Sequence, residues 1–95
     1  MEFVFHGSTT VKNKTRRYTA VGVFDGSNAM SVGFSFCSPK DQYNRKKGLM
    51  IARGRAAKNP AKVVVIPDSI LKLEKHNKEI ARYFIAEVEA IVNNL

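Results

Sequence analysis

The fold of this chain is decided by residues 34–57, which read FSFCSPKDQYNRKKGLMIARGRAA. The first residues alternate between large apolar and small side chains, as in a strand, and the remainder has the basic pattern of a surface helix. Ser38, Pro39 and Asp41 have the spacing of a capping box, with Ser38 as N-cap and Pro39 at the first helical position. This spacing predicts a helix that begins at Pro39 and continues to about Lys58.

Three strands are predicted before this helix. Residues 2–6 alternate as a short first strand, a turn is expected at residues 12–14, and residues 16–25 form a strand with apolar side chains on both faces. That pattern places the second strand inside the sheet. A turn at residues 25–28 leads into a third strand. One face of the third strand is made only of small residues, which suits a closely packed helix or a ligand against the backbone: Ala29, Ser31, Gly33, Ser35 and Cys37.

The last third of the chain predicts a strand at residues 62–67 and a C-terminal helix. The helix follows from apolar residues at three-and-four spacing: Ile80, Phe84, Val88, Ile91 and Leu95. An unbroken helix over residues 69–93 would be about 37 Å long, too long for a domain of this size. We therefore expect a break near His76-Asn77 or cover by a second chain. The expected fold is α+β in the order β-β-β-α-β-α, an antiparallel meander of three to four strands with two helices.

Length and composition limit the class of protein. Ninety-five residues, 44% of them apolar, can form one modest core, so residues 1–95 are expected to be a single domain. No apolar run approaches the roughly 18 to 20 residues that span a bilayer, and the one cysteine cannot form an internal disulfide. We expect a soluble protein of reducing cytoplasm with no membrane partner.

The net charge of +8 is concentrated at the front of the chain. Residues 1–62 contain twelve Lys and Arg against three acids, whereas residues 63–95 contain four against five. A positive field attracts phosphates, nucleic acid or an acidic protein surface. The alternative is that the charge serves solubility alone.

A candidate binding site lies on the predicted basic helix. Helical spacing places Asp41, Asn44, Gly48 and Arg55 on one face, where Gly48 would admit a ligand and Asn44 and Arg55 would hydrogen-bond it. Other cations would add to the field or close the site: Arg45, Lys46 and Lys47 on the helix, and Arg16 and Arg17 on the hairpin. The alternative is an ordinary helix-crossing contact with a solvated arginine.

Tyr18 and Tyr43 lie between these basic segments. Basic residues beside exposed aromatic rings are typical of a nucleotide or single-strand surface, because phosphates meet the charges and bases stack on the rings. Core packing of Tyr43 and a solvated basic face are the alternatives.

Cys37 is the one position that suggests an enzyme. A thiol before a helix start can have a lowered pKa, but no recognised spacing links Cys37 to His6 or His76. The chain lacks phosphate-binding, zincin and nucleophile-elbow motifs, and one Cys with two distant His has no metal-ligand spacing. We expect no catalytic residue, metal or cofactor.

The segment FCSPKDQYNRKKG at residues 36–48, followed by IARGR at residues 51–55, resembles a segment of small uncharacterised proteins of tailed bacteriophages. The resemblance covers about a quarter of the chain. It implies a protein that acts on the host in the host cytoplasm, by blocking a defence system, binding a host protein or sequestering a nucleotide signal.

These observations favour a non-enzymatic phage-type accessory protein that binds a phosphorylated anion, either a nucleotide signal or nucleic acid. The C-terminal helix would form a homo-oligomer, with the pocket between chains. Two alternatives stay open. One is an inhibitor that binds an acidic surface of a host protein, and the less favoured one is a cysteine-dependent enzyme.

Overall fold

The computed structural model describes residues 1–37, 42, 44–74 and 76–94, with only the backbone of Val11. Four strands and three helices follow one another along the chain. In order they are β1 (Glu2–Val11), β2 (Lys14–Phe24), β3 (Ala29–Phe36), α1 (Arg45–Lys58), β4 (Lys62–Val65), α2 (Asp68–Leu71) and α3 (His76–Asn93).

The strands form one antiparallel sheet in the order β1-β2-β3-β4. The predicted α+β meander is confirmed, and β2 lies inside the sheet as expected. Both predicted turns are present. Lys12 and Asn13 have φ of 53° and 65°, as a two-residue type I′ hairpin requires. In the second turn the Asp25 carboxylate accepts hydrogen bonds from the Ser27 and Ala29 amides at 2.8 and 3.2 Å.

Large apolar side chains fill the space between the sheet and α3. The buried residues of α3 return at four-residue spacing and meet a continuous apolar surface of β2, β3 and β4. Phe84 and Ile80 are at most 1% exposed. Each large side chain buried here stabilises the fold by about 1.5 to 3 kcal/mol, so this layer is the main core. The predicted apolar stripe is therefore a core helix, with Leu95 outside the described residues.

Small residues bring α1 close to the sheet in the opposite layer, where Val21 is also fully buried. Gly33 faces the α1 backbone so closely that a Cβ there would overlap the Ala52 carbonyl oxygen and the Ala56 nitrogen. A Cβ on Gly48 would lie 2.8 Å from Thr19 Oγ1. The small face predicted for β3 therefore serves close packing of a helix, which was one of its two expected roles.

The predicted start of the first long helix is wrong. Asn44 has extended backbone angles (φ −128°, ψ 109°), and its side chain accepts a hydrogen bond from the Lys47 amide at 3.1 Å. Asn44 is thus the N-cap and α1 begins at Arg45, because a residue in the extended region cannot continue a helix from Pro39. The predicted capping box of Ser38, Pro39 and Asp41 lies outside the described residues.

The C-terminal helical region is broken before His76, which agrees with the expected break near His76-Asn77. α2 ends at Leu71, and α3 begins at His76 after a turn in which the Leu73 amide donates to the Ile70 carbonyl. The 18 residues of α3 span about 27 Å, a length that the sheet can cover. The predicted homo-oligomer stays a prediction.

Candidate functional site

A basic hairpin arm, residues 8–17, extends the β1–β2 pair beyond the rest of the sheet. β3 pairs with β2 only as far as the contact between Tyr18 and Phe36, whereas β1 and β2 continue for four more residue pairs to the turn. The arm carries Lys12, Lys14, Arg16 and Arg17, all exposed, and no acid.

A polar cleft of about 210 Å³ lies at the base of this arm, lined among the described residues by His6, Gly7, Ser8, Arg17 and Arg45. We call it the basic cleft. Ser8 pairs with Arg17 and His6 pairs with Thr19, so these side chains share the sheet face that α1 covers. Arg45 is the first residue of α1. The cleft thus combines one arginine from the sheet with one from the helix.

The close contact between α1 and the sheet positions Arg45. Gly48 is buried one turn after Arg45 and packs against Thr19, with Ser35 beside them. Thr19 also shares a 2.9 Å hydrogen bond between its Oγ1 and His6 Nδ1. Since a larger side chain at Gly48 would push the helix away from Thr19, the small residue keeps Arg45 near His6.

The pKa of His6 reflects the positive charge of the cleft. Partial burial, and then the positive charges of Arg45 and Arg17, lower the pKa of His6 below its ordinary value. A neutral imidazole at neutral pH can accept or donate one hydrogen bond in the cleft. An anion bound between the two arginines would offset their field, so it would raise the pKa of His6.

The other predicted helix residues are distributed over several places. Asn44 serves as the N-cap, while Lys46 and Lys47 are exposed on the first turn of α1. Asp41 lies outside the described residues. Gly48 is buried against Thr19, so the predicted approach of a ligand at Gly48 is replaced by packing of the helix on the sheet.

Arg55 lies apart from the basic cleft. β4 pairs with only the first half of β3, Ala29–Val32, and Arg55 Nη1 donates to the Phe34 carbonyl at 2.8 Å on the uncovered half. A second, apolar cleft of about 200 Å³ lies there, lined by Phe34, Phe36, Arg55, Asn59, Ala61 and Ile91. Arg55 therefore donates a hydrogen bond to a β3 carbonyl in the half of the strand that does not pair with β4.

Arg16 lies on the opposite sheet face from Arg17, because neighbouring residues of a strand alternate. Its guanidinium carbon is 5.6 Å from the centre of the Phe36 ring, and its Nε donates to the Cys37 carbonyl at 3.3 Å. The structure thus places Arg17 in the basic cleft and Arg16 on the other side of the arm.

Of the two predicted aromatic rings, Tyr18 is not at the basic cleft. Tyr18 is only 3% exposed and packs in the α3 core against Phe5, Phe34 and Phe36, and burial raises its pKa. It cannot stack on a base because the core covers both faces of the ring. Tyr43 lies outside the described residues.

Sequence reasoning missed His6 and Ser8 as site residues. Both lie far from Arg45 in the chain, and no local motif connects them. The signal was the turn at Lys12-Asn13, because a two-residue hairpin fixes the register in which Ser8 faces Arg17 and His6 faces Thr19.

Within the described ranges, no group of three or more His, Cys, Asp and Glu side chains could hold a metal ion. In the same part of the chain, the helices are too short or too polar to cross a membrane. Comparison with protein-family models, curated proteins and solved structures gives no match.

Proposed function

We propose that this chain is a non-enzymatic accessory protein that binds a phosphorylated anion, a nucleotide or nucleic acid, at the basic cleft. The observation that carries the proposal is the meeting of Arg17 and Arg45, from two different elements, with His6 on one concave polar surface. Guanidinium groups bind phosphate through paired hydrogen bonds. Among the described residues no acid lines the cleft, so the local field favours an anion.

The biological setting that we propose is a bacteriophage protein acting in the host cytoplasm, where it would counter a host defence. The support is the resemblance of the FCSPKDQYNRKKG segment to small phage proteins. A protein that sequesters a nucleotide signal or covers nucleic acid requires binding groups alone.

The test is a binding panel with a matched charge control. The purified protein is titrated with mononucleotides, labelled single strands and labelled duplexes at low salt, and binding is measured by anisotropy and thermal shift. Arg45→Gln and Arg17→Gln should each weaken binding about tenfold or more, since each removes a charged hydrogen bond to phosphate.

Arg53→Gln is the matched control. It removes the same charge from the same helix, but Arg53 pairs with Glu2 at 2.8 Å and lies outside the basic cleft. Binding by this variant should stay within about twofold of the original, as expected for an exposed charge outside the site. If no nucleotide or nucleic acid binds at low salt, the proposal fails, and an acidic host protein becomes the class of partner to search for.

A further inference from the structure

The hairpin arm has the form of a ribbon that enters a groove. Four antiparallel residue pairs of β1 and β2 lead from the end of the β2–β3 pairing to the turn, a length of about 14 Å. Two paired strands lie about 5 Å apart. The major groove of B-form DNA is about 12 Å wide and admits a two-stranded β-ribbon.

Both faces of the arm carry cations and hydroxyl groups. Strand alternation places Thr9, Lys14 and Arg16 on one face, and Ser8, Thr10, Thr15 and Arg17 on the other. A 3.0 Å hydrogen bond between the Thr10 and Thr15 hydroxyls confirms that these two side chains share a face. A ribbon inserted in a groove meets a phosphate strand on each side, so cations on both faces suit this position better than a one-sided patch.

The tip of the arm can reach base edges. Lys12 and Asn13 occupy the two turn positions and are exposed. Lysine donates to guanine and asparagine pairs with adenine in the major groove. Arg17 at the base of the arm belongs to the basic cleft, with Arg45 opposite, so the cleft would hold a backbone phosphate while the tip lies in the groove.

We infer that the partner is duplex DNA in the B form, held by its backbone in the basic cleft and entered by the hairpin arm through the major groove. This inference rests on the proposed function, because the cleft supplies the phosphate contact at the base of the arm. Double-stranded RNA does not fit, since side chains cannot read its deep and narrow major groove.

The test compares one DNA duplex with an RNA duplex of the same sequence and with a mononucleotide. The arm variant is Lys12→Asn with Lys14→Gln, because asparagine tolerates the positive φ at position 12. It should weaken DNA duplex binding about tenfold. The slope of log affinity against log salt should fall by about one, since Lys14 faces a phosphate strand whereas Lys12 faces base edges, and mononucleotide binding at the cleft should be unchanged.

The matched control is Lys72→Gln with Lys78→Gln, which removes two exposed lysines from the C-terminal third and should preserve the salt slope. Equal binding of RNA and DNA duplexes, or an arm variant that binds DNA with the original slope, overturns the inference. Mononucleotide binding without duplex binding also overturns it and leaves the proposed function standing. If the original chain binds neither duplex, nor the mononucleotide, nor a labelled single strand, both proposals fail.

Discussion

The two faces of the sheet are packed by different means. On the α3 face, large side chains such as Phe84, Met30 and Ile80 fill a core in which each is at most 1% exposed. On the α1 face, Gly33, Gly48, Ala52 and Ala56 let the helix backbone come close to the strands. The two faces therefore have different roles. The α3 face supplies most of the stability, and the α1 face fixes the position of a charged helix.

This division explains why many basic residues lie on α1, the helix that packs on the sheet through small residues. A helix held by small residues buries little of its surface, and most of α1 is exposed. Its cations therefore remain in solvent while the first turn is brought against β1 and β2 at the basic cleft. Changes to the α3 face should accordingly affect stability alone, whereas changes to the α1 face should affect stability and anion binding together.

The largest expected effect is on the α3 face. Phe84→Ala should lower the free energy of unfolding by about 3 to 5 kcal/mol, because it empties a fully buried aromatic site. Urea denaturation measures the loss. At a temperature where the variant is folded, its affinity for sulfate should match that of the original chain. A folded variant with much weaker sulfate binding would show that the two faces are coupled.

Gly33→Ala tests the α1 face. The added methyl group would overlap the backbone at Ala52 and Ala56, so α1 must move, at a cost of about 1 to 3 kcal/mol in unfolding free energy. Sulfate affinity should fall as well, because Arg45 moves with the helix.

Gly54→Ala is the control for Gly33→Ala. Gly54 lies on the exposed side of the same helix, and a methyl group added there would meet no atom of the described residues outside its own helix within 4 Å. Alanine there should raise stability by about 0.5 to 1 kcal/mol and keep sulfate affinity unchanged. If the two glycine variants behaved alike, close packing would not be what positions the helix.

A smaller effect is expected at the start of α1. Asn44→Ala removes the side-chain bond to the Lys47 amide and should lower the unfolding free energy by about 1 kcal/mol. Asn44→Asp should keep the cap, and thermal unfolding distinguishes the two variants. A stability unchanged in Asn44→Ala would argue against the observed N-cap.

The strands and turns could be predicted from sequence because their signals are local. Alternation along residues 16–25 and 30–36 assigned side chains to their faces, and the small face of β3 indicated a close neighbour. The start of α1 could not be predicted as well, because Ser38-Pro39 and Asn44 are both acceptable N-terminal signals. Only the extended backbone of Asn44 decides between them.

The candidate site was harder to predict because it depends on tertiary contacts. A helical wheel grouped Arg55 with Asn44, but it could not show that β4 stops early and leaves the Phe34 carbonyl for Arg55. Arg17 and Arg45 were both predicted as site residues from charge. Their meeting with His6 requires the hairpin register and the packing of Gly48 on Thr19 together.

The titration of His6 by NMR, with and without sulfate, tests the account most directly. The lowered pKa means that the folded chain binds fewer protons at this site than the unfolded chain, so acidification through the ordinary histidine range should reduce stability. Sulfate between Arg17 and Arg45 should raise the pKa of His6, and sulfate affinity should therefore increase as pH falls. His76, at the start of α3, is an internal control whose signals should not respond to sulfate. A His6 pKa at the ordinary value and unchanged by sulfate would contradict the anion site.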